Sequence, residues 1–273
     1  MLYACFPAWV AALSVGVALE AVPQILLAIS TVVVLSLYRI DDLLVGVLDG
    51  GERPNALRDL PSVGRQGQLN MERLLSLRPD LLLLWPGSVP PAQREQLKRL
   101  GITTFSAEPH DLDQLIEQIA AIGERVGRAE QGQQYARALR ERLRQLRQQY
   151  RRDEPLQVFY QVWDRPLYTL GGRQVVSDAL AVCGARNVFA DLSQPAPQVS
   201  VESVLLRNPQ VILAGDQAQL TGWLAWPQLR AVAHAGLLVV PDKGLERPSG
   251  QMIEATARLC ALLAAKAPAS TSR

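Results

Sequence analysis

The sequence predicts an α/β protein of two similar lobes joined by a single long helix. Three observations carry that expectation. A motif of capped helix start, acidic first turn, proline stop and apolar run occurs twice, 130 residues apart, and a shorter echo follows at a shift of 135. Between the two copies, Arg128 to Arg152 is almost free of glycine and proline.

The first copy is Asn70 to Trp85, NMERLLSLRPDLLLLW. Asn70 is a good N-cap, because its side-chain oxygen can accept an orphan backbone N–H of the first turn. Glu72 then places a negative charge at the positive end of the helix dipole. Leu74, Leu75 and Leu77 form an apolar face, and Pro79 ends the helix, since the residue before a proline avoids helical backbone. Leu81 to Leu84 is an unbroken apolar run, as in a strand covered on both faces. In the second copy Ser200, Glu202, Pro209 and Val211 to Leu213 stand at the positions of Asn70, Glu72, Pro79 and Leu81 to Leu83, each 130 further on (70 to 200, 72 to 202, 79 to 209, 81 to 211). Gly101 to Phe105 is echoed by Gly236 to Val240, 135 further on. Such a period is far too long for a solenoid. It predicts two lobes, each with a capped acidic helix start, a strand, a helix and another strand.

The other elements follow in order. Residues 1–21 carry one charge, Glu20, and Ala8 to Leu19 has the length of a signal-peptide core. No Lys or Arg precedes Arg39, so an uncleaved amphipathic anchor is the other reading. Gln24 to Ser30 reads as a first strand, Thr31 to Ile40 as a helix weakened by three successive valines, and Leu43 to Leu48 as a second strand turning at Asp49-Gly50-Gly51. Asp111 with Gln114 three residues on makes a capping box, and Leu112, Leu115, Ile116, Ile119 and Ile122 give the helix its stripe. From Arg128 onward Ala136, Leu139, Leu143, Leu146 and Tyr150 keep helical spacing, for a rod of ~36 Å at 1.5 Å per residue. Its seven arginines between 137 and 152 read as a solvated face whose stems cover apolar surface. Strand chemistry resumes at Leu156 to Val162. The expected organisation is a leader 1–21, a first lobe 22–126, a connecting helix 127–153 and a second lobe 154–273 with a short polar tail.

Composition narrows the function. An apolar share of 48% and a charged share of 20% describe a globular chain. A net charge of +2 offers no bulk attraction for nucleic acid. The two histidines, His110 and His234, are far apart, so no metal site is expected. There is no G-x-G-x-x-G after a strand, no Walker lysine and no G-x-S-x-G elbow. No enzyme activity and no catalytic cofactor are expected. Of the three cysteines, removal of a leader would take Cys5 and leave Cys183 and Cys260. In an exported chain these would pair; in a cytosolic one they would be buried thiols.

What remains is a set of aromatics and charges where strands end, the place open α/β sheets put their ligands. Trp85 ends one strand, Trp163 and Tyr168 follow another, and Asp242, Lys243, Gly244, Leu245, Glu246 and Arg247 follow a third. Trp223 and Trp226 read as packing.

The run V-x6-N-x-E-R-x3-L-x-P-D-x4-W (Val63 to Trp85), then P-Q-V-S-x-E (Pro197 to Glu202), then D-x3-E-R (Asp242 to Arg247) resembles the periplasmic vitamin B12-binding proteins of ABC importers. The resemblance covers Gln24 to Leu263. It implies two Rossmann-like lobes on a helical backbone, a periplasmic location, a monomer, and a disulfide between Cys183 and Cys260. It implies that Glu72 and Glu202 dock on the importer's permease, one from each lobe. It also implies that Trp85, Tyr168 and the loop Asp242 to Arg247 hold cobalamin or a related corrinoid, and Gly50 and Trp163 are expected in the same ligand set. The chain departs from the family after the first strand, where Ser30-Thr31-Val32-Val33-Val34-Leu35 replaces S-P-x-x-T-E. The loop at 242 carries one extra residue. Gly50, Gln66 and Ala196 stand where rings are expected, so a planar ligand loses aromatic area. Haem or a ferric siderophore is the alternative ligand within this class, and an α/β enzyme using the same cleft the alternative outside it.

Overall fold

A computed structural model describes residues 25–27 (backbone only), 43–49, 57–65, 67–84 and 89–266. The expected leader, the helix Thr31 to Ile40, Gly50, Gln66, Trp85 and the last seven residues of the tail (267–273) lie outside the described residues.

The strands fall into two sheets. Strands β1 (Ile25–Leu27), β2 (Leu44–Asp49), β3 (Ser62–Arg65), β4 (Gln68–Leu69), β5 (Leu81–Leu84) and β6 (Thr104–Ser106) form the first, in the order β4-β3-β2-β1-β5-β6. Only the β3–β4 pair is antiparallel. Strands β7 (Leu156–Asp164), β8 (Leu167–Thr169), β9 (Ala185–Asn187), β10 (Val211–Ala214) and β11 (Leu237–Val239) form the second, in the order β11-β10-β7-β8 with β9 also on β7. Around them lie α1 (Met71–Leu77), α2 (Pro91–Arg99), α3 (Leu112–Arg125), α4 (Ala129–Gln149), α5 (Val175–Val182), α6 (Val201–Arg207), α7 (Gln217–Thr221), α8 (Arg230–Ala233) and α9 (Gln251–Ala264).

The 130-residue repeat is structural. Helices α1 and α6 have seven residues each, and Asn70 and Ser200 accept the backbone N–H of Arg73 and Ser203 as N-caps. Both helices stop on a left-handed residue, Arg78 (φ 47°) and Asn208 (φ 43°). That conformation costs an L-residue about 1–2 kcal/mol, and it turns the chain straight into β5 and β10. Along those strands Leu81 and Leu83, like Val211 and Leu213, enter one inner core, while Leu82, Leu84, Ile212 and Ala214 enter outer cores.

The second echo is real but displaced. Leu82 pairs with Thr104, and Ile212, its counterpart, pairs with Leu237, so the shift there is 133 rather than 135 (104 to 237). The sequence aligns Gly101 with Gly236, yet the backbone matches Gly101 (φ 70°) with Ala235 (φ 53°). The residue after each, Ile102 and Gly236, donates its N–H back to Leu97 and Ala231, the 6→1 bond of a Schellman stop. Gly236 answers a different need: a Cβ there would lie 2.3 Å from the Gln210 carbonyl oxygen.

The long helix is α4, 21 residues capped by Tyr150, or ~31 Å. Helix α3 precedes it and packs along it after a turn at Gly127 (φ 70°). The backbones approach closely, since a Cβ on Gly123 would sit 2.9 Å from the Gly132 Cα. The inner core is continuous: it runs from Val47 and Leu83 of the first sheet, through Ile119 and Leu143, to Val158 and Leu213 of the second. The arginines of α4 pair on its partly exposed side, Arg142 with Glu254 at 2.9 Å and Arg147 with Asp113 at 2.6 Å. Cys183, capping α5, is bonded to Cys260 of α9 across a separation of 77 residues. A crosslink of that span stabilises by roughly 2–4 kcal/mol in the loop-entropy account.

Candidate functional site

Two arms of the second sheet reach its carboxyl edge, on either side of β10. One is the β7–β8 hairpin, where Trp163 and Tyr168 are register partners. Trp163 is 56% exposed, and its indole N–H donates to the Arg165 carbonyl at 3.1 Å. Tyr168 is half-buried and bridges to Gln198, in the segment that also carries exposed Ala196. Thr169 ties the hairpin down by donating its hydroxyl to the Tyr160 carbonyl at 2.7 Å.

The other arm follows β11 as a single 3-10 turn, Lys243–Glu246. Asp242 caps it by accepting the Gly244 N–H at 2.8 Å and is ion-paired to Arg258 of α9 at 2.8 Å. Glu246 accepts the phenol of buried Tyr160 at 3.0 Å. Burial, and then the Glu246 charge, push that phenol well above its usual value, so it stays a donor. Leu245 is 1% exposed and packs in the inner core, so its side chain anchors the turn. Both carboxylates are thus already engaged, while Lys243 and Arg247 are exposed with no ion-pair partner among the described residues. Ser249, just beyond, is fully buried with an unpartnered hydroxyl. Gly50, Gln66 and Trp85 lie outside the described residues.

Sequence reasoning missed a polar pairing behind the hairpin. The Trp223 indole donates to Gln161 at 2.6 Å, and Gln161 in turn donates to the Gln219 carbonyl at 3.1 Å. Trp223 does pack edge-on against Phe159, at 5.7 Å. It also shares with Trp226, Asp164, Leu167 and Val201 the wall of a pocket of about 330 Å³. The spacing W-x-x-W was visible; a glutamine partner 62 residues away was not. A larger pocket, about 500 Å³, is lined by Arg147, Arg151, Arg152 and Arg186. The C-terminal ends of α4 and α5 lie there, and Arg152 donates to the Leu263 carbonyl of α9. Arg152 thus serves a negative helix end, while Arg147 is paired with Asp113 at 2.6 Å.

Glu72 and Glu202 are both exposed in the first turns of α1 and α6. Each helix leads back through three residues into its strand, so each helix start lies toward the carboxyl edge of its own sheet. The Glu202 carboxyl is held below its usual value by its own backbone N–H and then by the Ser200 hydroxyl.

The periplasmic binding protein family matches residues 24–232. The vitamin B12-binding protein of Vibrio cholerae serotype O1 is 34% identical over 225 residues, covering 81% of this chain and 82% of the relative. That of Yersinia pestis is 34% identical over 228 residues, covering 82% and 79%. Among solved structures, the periplasmic vitamin B12 binding protein BtuF of Vibrio cholerae superposes with a TM-score of 0.81 at 31% identity, covering 90% of this chain and 98% of that one. The haem-binding protein RhuT of Roseiflexus sp. RS-1 shares the fold, with a TM-score of 0.75 at 20% identity over 90% of this chain and 100% of that one.

Proposed function

The chain belongs to the periplasmic binding protein family, and from that premise we propose that it captures cobalamin or a related corrinoid between its lobes and delivers it to an ABC importer. The observation that carries the ligand is the 34% identity with vitamin B12-binding proteins over four-fifths of both chains. In this reading Trp163 and Tyr168 offer ring area from one arm, and Lys243 and Arg247, without an ion-pair partner among the described residues, offer donors from the other. Trp85 and Gly50, which lie outside the described residues, complete the ligand set on the resemblance alone. A site of this kind is mostly apolar contact fixed by a few polar anchors. Asp242 and Glu246 act by shaping their turn for the ligand. Glu72 and Glu202 meet cationic side chains of the permease.

One core spanning both sheets and the connecting helices supports a frame that closes little on its ligand, since packed interiors resist continuous deformation. The bridge between Cys183 and Cys260 suits an oxidising compartment outside the cytoplasm.

Isothermal titration with cyanocobalamin tests the proposal. It predicts one site per chain with a Kd near or below ~1 µM, about −8 kcal/mol. No heat at ligand concentrations of tens of micromolar rejects the corrinoid.

A further inference from the structure

Helices α1 and α6 share caps, length, stop and following strand, and this makes their differences informative. We infer that the two docking helices are unequal: α6 carries the dominant contact, through Glu202 and Leu206 together, against a permease side-chain pair of one cation and one aliphatic group. This rests on the docking role proposed above for the two glutamates.

Position by position, α1 shows the outside Glu72, Arg73, Leu75 and Ser76, whereas α6 shows Glu202 and Leu206. Leu206 is 88% exposed, against 43% for Leu75, and its counterpart in α1 is Ser76, whose hydroxyl is turned back to the Arg73 carbonyl at 2.7 Å. Glu202 and Leu206 are four residues apart, so they stand side by side on one helix face. Glu72 has Ser76 in that place.

The charges differ in the same sense. In α1 the acid has Arg73 as an exposed neighbour. In α6 the cation is withdrawn: Arg207 forks onto Asp191 at 2.7 and 2.9 Å and lies 4.3 Å over the Phe189 ring. Glu202 is therefore the exposed charge of α6, kept ionised by its own N–H and Ser200. Immediately before it, Val201 walls the pocket of about 330 Å³ with Trp226, and Leu224 in the neighbouring turn is 60% exposed. An acid with an exposed leucine one turn on lets a partner's cation and an aliphatic group dock together, the arrangement in which the pair becomes a hot spot. A lone exposed leucine is ordinary; one beside an uncompensated docking acid, and missing from the twin helix, is the distinguishing feature.

The test uses the full-length protein and the host's vitamin B12 importer in nanodiscs, with affinity read by surface plasmon resonance and folding monitored by thermal melting. Leu206→Gln is expected to weaken docking five- to tenfold without moving the melting point. Ser76→Leu is expected to strengthen it, and Glu202→Gln to cost more than Glu72→Gln. Leu206→Gln within twofold of the parent, while both glutamate variants weaken binding equally, overturns the inequality and leaves the transport role standing. A parent protein that does not bind the importer overturns both.

Discussion

Helix α1 runs into β5 as α6 runs into β10, with an oxygen-bearing cap, seven residues, a left-handed stop and a four-residue buried strand in each. Beneath that shared backbone the two outer cores are unlike. The first is aliphatic, built on Leu48, Val63, Leu74, Leu82 and Leu97. The second is aromatic, with Phe159 edge-on to Phe189 at 5.6 Å and to Trp223 at 5.7 Å. The position that packs as Leu77 in one copy is Arg207 in the other, stacked on Phe189 and held by Asp191. The lesson is that caps, stops and the period-two burial of a strand are enough to repeat a backbone, while the remaining positions are free to follow whatever core they cover.

That comparison can be broken hardest at the strands. Leu83→Ala and Leu213→Ala remove side chains from the same inner core, at 1% and 0% exposure, and each is expected to cost roughly 2–5 kcal/mol. Because the core is shared, calorimetry should show one transition lowered in both variants; a melt splitting into two transitions would separate the lobes energetically. The helix stops come next. Ala235→Gly relieves a left-handed alanine and Gly101→Ala creates one, so unfolding free energies from urea melts should move in opposite directions by about 1 kcal/mol. Equal signs would undo the backbone match of 101 with 235. The smallest effect concerns the acids. A carboxyl whose folded value is depressed lends stability above its unfolded value and loses it as pH falls through the folded one. NMR titration should therefore find Glu202 below the ordinary glutamate range, with Ser200→Ala moving it upward. An unmoved midpoint would remove the Ser200 hydroxyl from the account.

Much of the fold was legible because its signals are local. Asn70, Ser200 and Asp111 cap the helices that the sequence assigns to them. The second echo misled by one residue at the helix stop and two in the strand because identity is not conformation: a glycine needed for its missing Cβ was read against one needed for its positive φ. The packing of α3 along α4 through Gly123 and Gly132 was not read at all, since close backbone approach leaves only two unremarkable glycines in the text. At the site, the aromatic and charged residues were visible where strands end. Which of them were already spoken for was not, because Tyr160 with Glu246 and Arg258 with Asp242 join residues 86 and 16 positions apart. Leu245 looks like any loop leucine until the inner core is drawn around it.

A lost ring also invites restoration. Ala196 is exposed beside the segment that bridges to Tyr168, so Ala196→Trp should tighten cyanocobalamin several-fold, an aromatic contact of about 1 kcal/mol. The same titration on the parent and the variant checks it.

The most direct measurement is the visible spectrum of the protein purified from the periplasm of its host. The account predicts corrinoid absorption bands at close to one equivalent per chain, retained through gel filtration. A Soret band of haem in their place, or a colourless protein that takes up no cyanocobalamin on dialysis, contradicts it.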